Sequence, residues 1–202
     1  MIATSERIER EEMSLNNTTD RLPPGQYLTQ GFPVLHAGFV PSLTTDSWSF
    51  RVFGEVEEEK TWSWDEIQRL PRRKVTCDIH CVTRWSKFDT EWEGIPFREI
   101  YERVKPKPGA RYVMVHADPD YSTNLPLEDL LEDNVLLADT YQGEPLSPEH
   151  GGPMRLVVPK LYFWKSAKWV RGFEFMNEDR PGFWENYGYH MHGNPWKEQR
   201  FS

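Results

Sequence analysis

Every periodic apolar segment of this chain is short and closed by turn-forming residues, which limits the fold to small elements packed together. Around Leu22-Pro23-Pro24-Gly25 and Gly31-Phe32-Pro33-Val34-Leu35-His36-Ala37-Gly38, Pro and Gly bracket an apolar centre, the composition of a structured loop. Alternation of Trp48, Phe50 and Val52 against Ser49, Arg51 and Phe53 predicts a strand that turns at Gly54, ahead of Glu57-Glu58-Glu59. Ser63 and Glu66 have the spacing of a capping box, so a short helix starts there and Pro71 ends it. A second strand carries Val75, Cys77 and Ile79 on one side and delivers the chain to His80-Cys81. Pro96 opens a helix with Phe97, Ile100, Tyr101 and Val104 on one face, and Lys105-Pro106 closes it. Strands follow over residues 111–115, 135–138, 154–158 and 173–175, with a short helix over residues 126–131. Short helices scattered among many short strands predict an α+β fold, mixed and strand-rich.

The 202 residues suffice for one domain with a sizeable core. Apolar content is only 38%, but nine Trp let few residues bury a large area, so the core should be aromatic-rich. Residues 1–21 are polar, with Glu and Arg interleaved, and read as a flexible amino-terminal arm; residues 22–202 read as the domain. A net charge of -8 opposes generalised binding to nucleic acid or anionic lipid. The first residues contain no apolar run after a basic start, so neither a signal peptide nor a membrane span is expected. The two cysteines, Cys77 and Cys81, would lie roughly 13 Å apart on one strand, too far for a disulfide. A reducing, cytoplasmic location is expected.

The densest chemical segment is Cys77-Asp78-Ile79-His80-Cys81-Val82-Thr83-Arg84-Trp85-Ser86, where a strand enters a turn that gathers thiol, imidazole, guanidinium and hydroxyl groups. Residue type alone leaves this open, since a lone Cys is usually a buried small apolar residue and a lone Arg a surface ion-pair partner. Zinc is the obvious rival, with Cys77, His80 and Cys81 as ligands. It lacks a second pair at the required spacing unless His190 and His192 supply one in space.

Residues His80-Cys81-Val82-Thr83-Arg84-Trp85-Ser86, followed by Trp92-Glu93-Gly94-Ile95-Pro96-Phe97, resemble the molybdopterin-binding core of the sulfite oxidase family. The resemblance is to its short bacterial branch, which includes the catalytic subunit of periplasmic methionine sulfoxide reductase. A second block, Gly151-Gly152-Pro153-Met154-Arg155 through Trp164-Lys165-Ser166-Ala167-Lys168-Trp169, is similar to that family's cofactor-anchoring turn and basic loop. The tail from Asp179 to Trp196 fits the same branch.

The resemblance implies a sulfite-oxidase-type fold and the molybdenum cofactor, with Cys81 as the thiolate ligand of molybdenum. Molybdenum in high oxidation states favours anionic sulfur, and a metal-bound thiol is deprotonated. Arg155 and Lys168 match positions that hold the pterin and its phosphate, a guanidinium fork and a point charge. Ser166 and the Ala167 amide would add donors, and Leu35 and His36 match an amino-terminal loop that touches the pterin. Two departures are His150, where the branch has Asn, and Ala117, where it has Thr; His150 can still hydrogen-bond a pterin and Ala117 cannot. Lys165 and Arg171 are read equally as anchors or as a solvated basic face, and Cys77 as structural.

The expected activity is two-electron oxygen-atom transfer on a small sulfur- or nitrogen-oxo compound, either sulfoxide or N-oxide reduction or sulfite oxidation. Arg84 is expected beside the open metal position, where a fixed cation stabilises developing negative charge. Trp85 with Tyr162 or Trp164 is expected to wall the pocket. A cation-rich pocket would favour sulfite and an aromatic one a neutral sulfoxide. With no haem or flavin motif of its own, the chain should exchange electrons with a separate protein or carrier. The alternative is a non-catalytic molybdopterin-binding or interaction module, which would have no need of a sulfur ligand.

Overall fold

The computed structural model describes residues 20–202. Nearly all of the expected amino-terminal arm, residues 1–19, lies outside the described residues. Among the described residues, eleven strands form two sheets, joined by short α-helices that include α1 (Trp64–Ile67), α2 (Phe97–Val104), α3 (Leu127–Leu130) and α4 (Phe183–Asn186). No helix among the described residues is long and apolar enough to cross a membrane.

One sheet contains β2 (Ser49–Gly54), β3 (Lys60–Ser63), β6 (Tyr112–Ala117), β7 (Tyr121–Pro126) and β11 (Val170–Met176) in the order β3-β2-β11-β6-β7. The other follows the order β1-β5-β8-β10, with β1 (Tyr27–Leu28), β5 (Trp85–Pro96), β8 (Leu136–Tyr141) and β10 (Arg155–Val157). In that sheet β4 (Arg73–His80) pairs with β5, and β9 (Glu144–Pro145) with β8. The mixture of parallel pairs (β1 with β5, β2 with β11) and antiparallel ones bears out the mixed α+β reading.

Buried side chains fall into two clusters. The larger places Trp48, Phe50, Trp62, Phe97, Phe173 and Phe175 among a majority of Val, Ile and Leu, so aromatic residues contribute to this core without the dominance that composition suggests. The smaller lies against the second sheet and contains Ile79, Cys81, Trp85, Trp92 and Val157. Cys81 is therefore part of a packed layer that fixes its position.

The capping box is present: the Ser63 amide donates to Glu66 Oε2 at 2.8 Å, and the Glu66 amide donates to Ser63 Oγ at 3.4 Å. Its helix is a single turn that stops before Pro71. The longest strand, β5, is absent from the expected strands for a physical reason. Asp89 takes φ 53, and the β4–β5 register shifts between Cys77 and Ile79, so the period-2 pattern breaks midway. At Gly94 an added Cβ would stand 2.0 Å from the Leu137 carbonyl oxygen, so only glycine permits the close approach of β8.

Candidate active site

Cys81 occupies the turn that joins β4 to β5. Its amide donates to the Trp85 carbonyl at 2.9 Å, and its carbonyl accepts from the Arg84 amide at 3.0 Å, which closes the turn. Gln26, just before β1, donates from Nε2 to the carbonyls of Cys81 (3.0 Å) and Trp85 (3.2 Å). Arg200, buried in the carboxy-terminal tail, donates to the Val82 carbonyl at 2.8 Å and to Gln26 Oε1 at 3.2 Å. Both ends of the described chain thus hold one turn. Burial pushes the Cys81 thiol up, while the Thr83 hydroxyl, the Thr83 and Val82 amides and the Arg200 charge pull it back.

A second group of residues comes from β10 and the segments around it. Gly151 has φ 107, and an added Cβ there would meet Lys168 Cβ at 3.0 Å and Arg155 Cβ at 3.1 Å. Glycine is required both by the dihedral and by this convergence. Arg155 is 1% exposed and donates to the carbonyls of His150 and Ser166, each at 2.8 Å. Its guanidinium lies 4.2 Å above the Phe163 ring. Lys168 Nζ donates to the Glu149 carbonyl at 2.5 Å. Neither cation forms an ion pair with a carboxylate among the described residues. Burial, reinforced by Arg155, pulls the Lys168 ammonium down to about 7, and burial likewise works against the charge on Arg155.

These groups face one cavity of about 290 Å³. The turn contributes Cys81, Thr83 and Trp85, and the β10–β11 segment contributes Arg155, Phe163, Trp164, Ser166, Ala167, Lys168 and Trp169. The amino-terminal loop adds Phe32, Leu35 and His36, and the tail adds Trp184 and Tyr189. Seven residues expected from sequence are therefore brought together: Leu35, His36, Cys81, Arg155, Ser166, Ala167 and Lys168. Trp85 and Trp164 wall the cavity as expected, with the Tyr162 ring stacked behind Trp164 at 5.4 Å.

His150 stands one layer back, its ring stacked on Phe32 at 3.9 Å, and its buried Nδ1 has no hydrogen-bond partner among the described residues. The same holds for Trp85 Nε1 and Tyr162 Oη. Ser166 is more structural than expected, since its Oγ accepts from the Val158 amide at 2.9 Å.

Three expectations need correction. Arg84 is exposed and does not line the cavity: its φ of 77 turns the chain, and its carbonyl is tied to the Tyr27 amide at 2.8 Å. Lys165 is neither an anchor nor a solvated cation. It is fully buried, 2.6 Å from Glu185, and donates to Asn124 and Met191 carbonyls. Ala117 packs in the larger core and does not line the cavity, so its loss of a hydroxyl costs the cavity nothing. Sequence reading missed Phe32, Tyr189, Trp184 and Arg200. Phe32 lies in the loop that carries Leu35 and His36, Trp184 and Tyr189 lie in the tail that resembles the family, and Arg200 lies beyond it; residue type alone does not mark which side chains of these segments face the cavity.

Among the described residues no group of three or more His, Cys, Asp or Glu side chains is placed to hold a metal ion by itself. His80 Nδ1 lies 2.8 Å from Ser86 Oγ, and burial lowers that imidazole to about 4.

Comparison with known proteins agrees with this geometry. The chain is 47% identical over 188 residues to the uncharacterized oxidoreductase YuiH of Bacillus subtilis, covering 93% of this chain and 95% of that one. It is 28% identical to the protein-methionine-sulfoxide reductase catalytic subunit MsrP of Ralstonia nicotianae, covering 81% of this chain and 54% of MsrP, so it spans about half of that relative. In fold it superposes on the sulfane dehydrogenase SoxCD of Paracoccus pantotrophus with a TM-score of 0.63 and 23% identity, covering 69% of this chain and 40% of that one. Residues 36–184 match the oxidoreductase molybdopterin-binding domain, and the chain belongs to that family as a molybdopterin-dependent oxidoreductase of the sulfite oxidase type.

Proposed function

We propose that this protein reduces a neutral sulfoxide by two-electron oxygen-atom transfer, using electrons from a separate partner protein. The observation that carries the reading is the cavity itself: one cysteine sulfur, a buried Arg155 and a half-buried Lys168 without ion-paired carboxylates among the described residues, and walls that are largely aromatic and apolar, with Asp118 as the one carboxylate in the lining.

The residues fit the cofactor that the family binds. Arg155 and Lys168 lack a facing anion, and a phosphate supplies one. Trp85, which lines the cavity, has a buried Nε1 without a hydrogen-bond partner among the described residues, and a heterocycle rich in acceptors provides one. Cys81 would ligate the metal, Arg155 and Lys168 would hold the phosphate, and Leu35, His36, Ser166 and Ala167 would border the pterin. When bound, the cofactor supplies molybdenum that cycles between Mo(VI) and Mo(IV) as an oxygen atom leaves or joins the substrate.

The chain's own contribution is orientation and exclusion of water. Gln26 holds the Cys81 carbonyl and Arg200 the Val82 carbonyl next to it, so the sulfur needs little reorganisation. Phe163, Trp164, Trp169 and Trp184 lower the local polarity, which strengthens each remaining electrostatic contact. With Arg84 and Lys165 outside the lining, the cavity's cations are those assigned to the cofactor, and the rest of the lining is aromatic and apolar apart from the Asp118 carboxylate, which repels an anion. That favours an uncharged sulfoxide over sulfite. The name of the Ralstonia relative points the same way. Reduction consumes two electrons and two protons per sulfoxide and releases the sulfide and water.

We place the protein in the cytoplasm on its two unpaired cysteines, Cys77 and Cys81, which fractionation of the native host tests. The activity is tested with protein from a host that makes the cofactor, using a reduced viologen as electron donor. Oxidation of the viologen by methionine sulfoxide, with no turnover of sulfite, is expected. Sulfite oxidation without sulfoxide reduction would reverse the assignment, and no redox activity would favour the binding-module alternative.

A further inference from the structure

The Cys81 sulfur has its own hydrogen-bond donor. Thr83 Oγ1 donates to Cys81 Sγ at 3.1 Å, and Thr83 has no other side-chain hydrogen bond among the described residues. The turn creates this contact: the Cys81 carbonyl to Arg84 amide bond folds residues 81–84 back, so a side chain two positions on returns over the sulfur. A β-branched residue holds χ1 stiffly, which keeps the hydroxyl directed. Among the described residues no other side chain donates a hydrogen bond to this sulfur; Trp85, in the same packed cluster, has an Nε1 without a partner.

We propose that Thr83 is a positioning residue that sets the reduction potential of the metal centre through the Cys81 sulfur. The inference rests on the reading of Cys81 as the molybdenum ligand. A hydrogen bond to a ligating thiolate withdraws electron density from sulfur and weakens its donation to the metal. The reduced, electron-rich state is then stabilised and the potential rises; hydrogen bonding around ligating sulfurs tunes copper and iron–sulfur centres in the same way. Thr83 touches neither the metal nor the substrate in this role. It acts on the ligand.

The test uses the holoenzyme from a cofactor-competent host in three forms: wild type, Thr83→Val, which keeps the shape and removes the donor, and Thr83→Ser, which keeps the donor. Molybdenum content, the midpoint of a redox titration followed by the Mo(V) electron paramagnetic resonance signal, and the energy of the sulfur-to-metal absorption are measured. Equal molybdenum is expected in all three. Thr83→Val should shift the midpoint to lower potential and the absorption to lower energy, and Thr83→Ser should restore both. An unchanged midpoint in fully loaded Thr83→Val, or the same shift in Thr83→Ser, overturns the inference alone. Molybdenum lost from Thr83→Val only also overturns it, because the hydroxyl would then be an anchor. Molybdenum missing from wild type overturns the metal-site reading and the inference with it.

Discussion

Lys165 and Lys168 stand three residues apart in one loop and have opposite surroundings. Lys165 points behind Trp164 into a closed polar network, where Glu185 Oε1 also accepts from Thr123 Oγ1 at 3.0 Å and Trp164 Nε1 at 2.8 Å. Lys168 lies at the cavity beside Arg155, with one backbone carbonyl as its partner. A buried cation such as Lys165 has its charge compensated by a carboxylate of the fold, whereas the half-buried Lys168, without one among the described residues, keeps an unmet electrostatic demand for a ligand. The contrast separates a lysine that holds the cavity wall in place from one that binds what enters.

Stability is where the two should differ most. Lys165→Met leaves Glu185 buried and uncompensated and should cost about 3–5 kcal/mol in denaturant unfolding of the cofactor-free protein. Lys168→Met should cost little or add stability in the same assay. If the two variants unfold alike, the contrast is wrong.

Cofactor binding should reverse the order. Lys168→Gln or Arg155→Gln removes a charge-assisted contact of about 1.5–3 kcal/mol, roughly a tenfold to hundredfold loss of affinity. Pterin and molybdenum retained through dialysis measure it.

The pH dependence of stability sharpens the comparison further. The Lys168 pKa is about 7 in the folded cavity and about 10.4 in an unfolded chain, so between these values the unfolded state binds more protons. The penalty for a charged Lys168 is full below pH 7, and this contribution to stability should rise as pH increases from about 7 to about 10. Lys168→Met should flatten that part of the profile relative to wild type. The smallest effect belongs to Arg84→Ala. An exposed residue outside the cavity should change stability by less than about 0.5 kcal/mol and leave turnover unchanged.

The difference between the lysines also marks what sequence could reveal. Cys81, Arg155 and Lys168 sit in contiguous motifs whose spacing carries information, and the Ser63 capping box is a local device, so these were legible. Lys165 was not, because its partner Glu185 arrives from a distant helical turn and no local pattern links the two. Closeness in sequence to Cys81 suggests closeness to its sulfur, but the turn leaves Arg84 exposed and off the cavity lining. Strand β5 escaped because Asp89 breaks its alternation, and Phe32 and Tyr189 because a cavity assembled from both ends of a chain has no sequence period.

The central claim is that Cys81 presents a thiolate to molybdenum in this cavity. The most direct measurement is the metal content and visible spectrum of wild-type and Cys81→Ser protein purified from a host that makes the cofactor. Stoichiometric molybdenum in wild type, with a sulfur-to-metal absorption that disappears in Cys81→Ser, is the predicted result; zinc in place of molybdenum, or a spectrum that Cys81→Ser leaves unchanged, would contradict it.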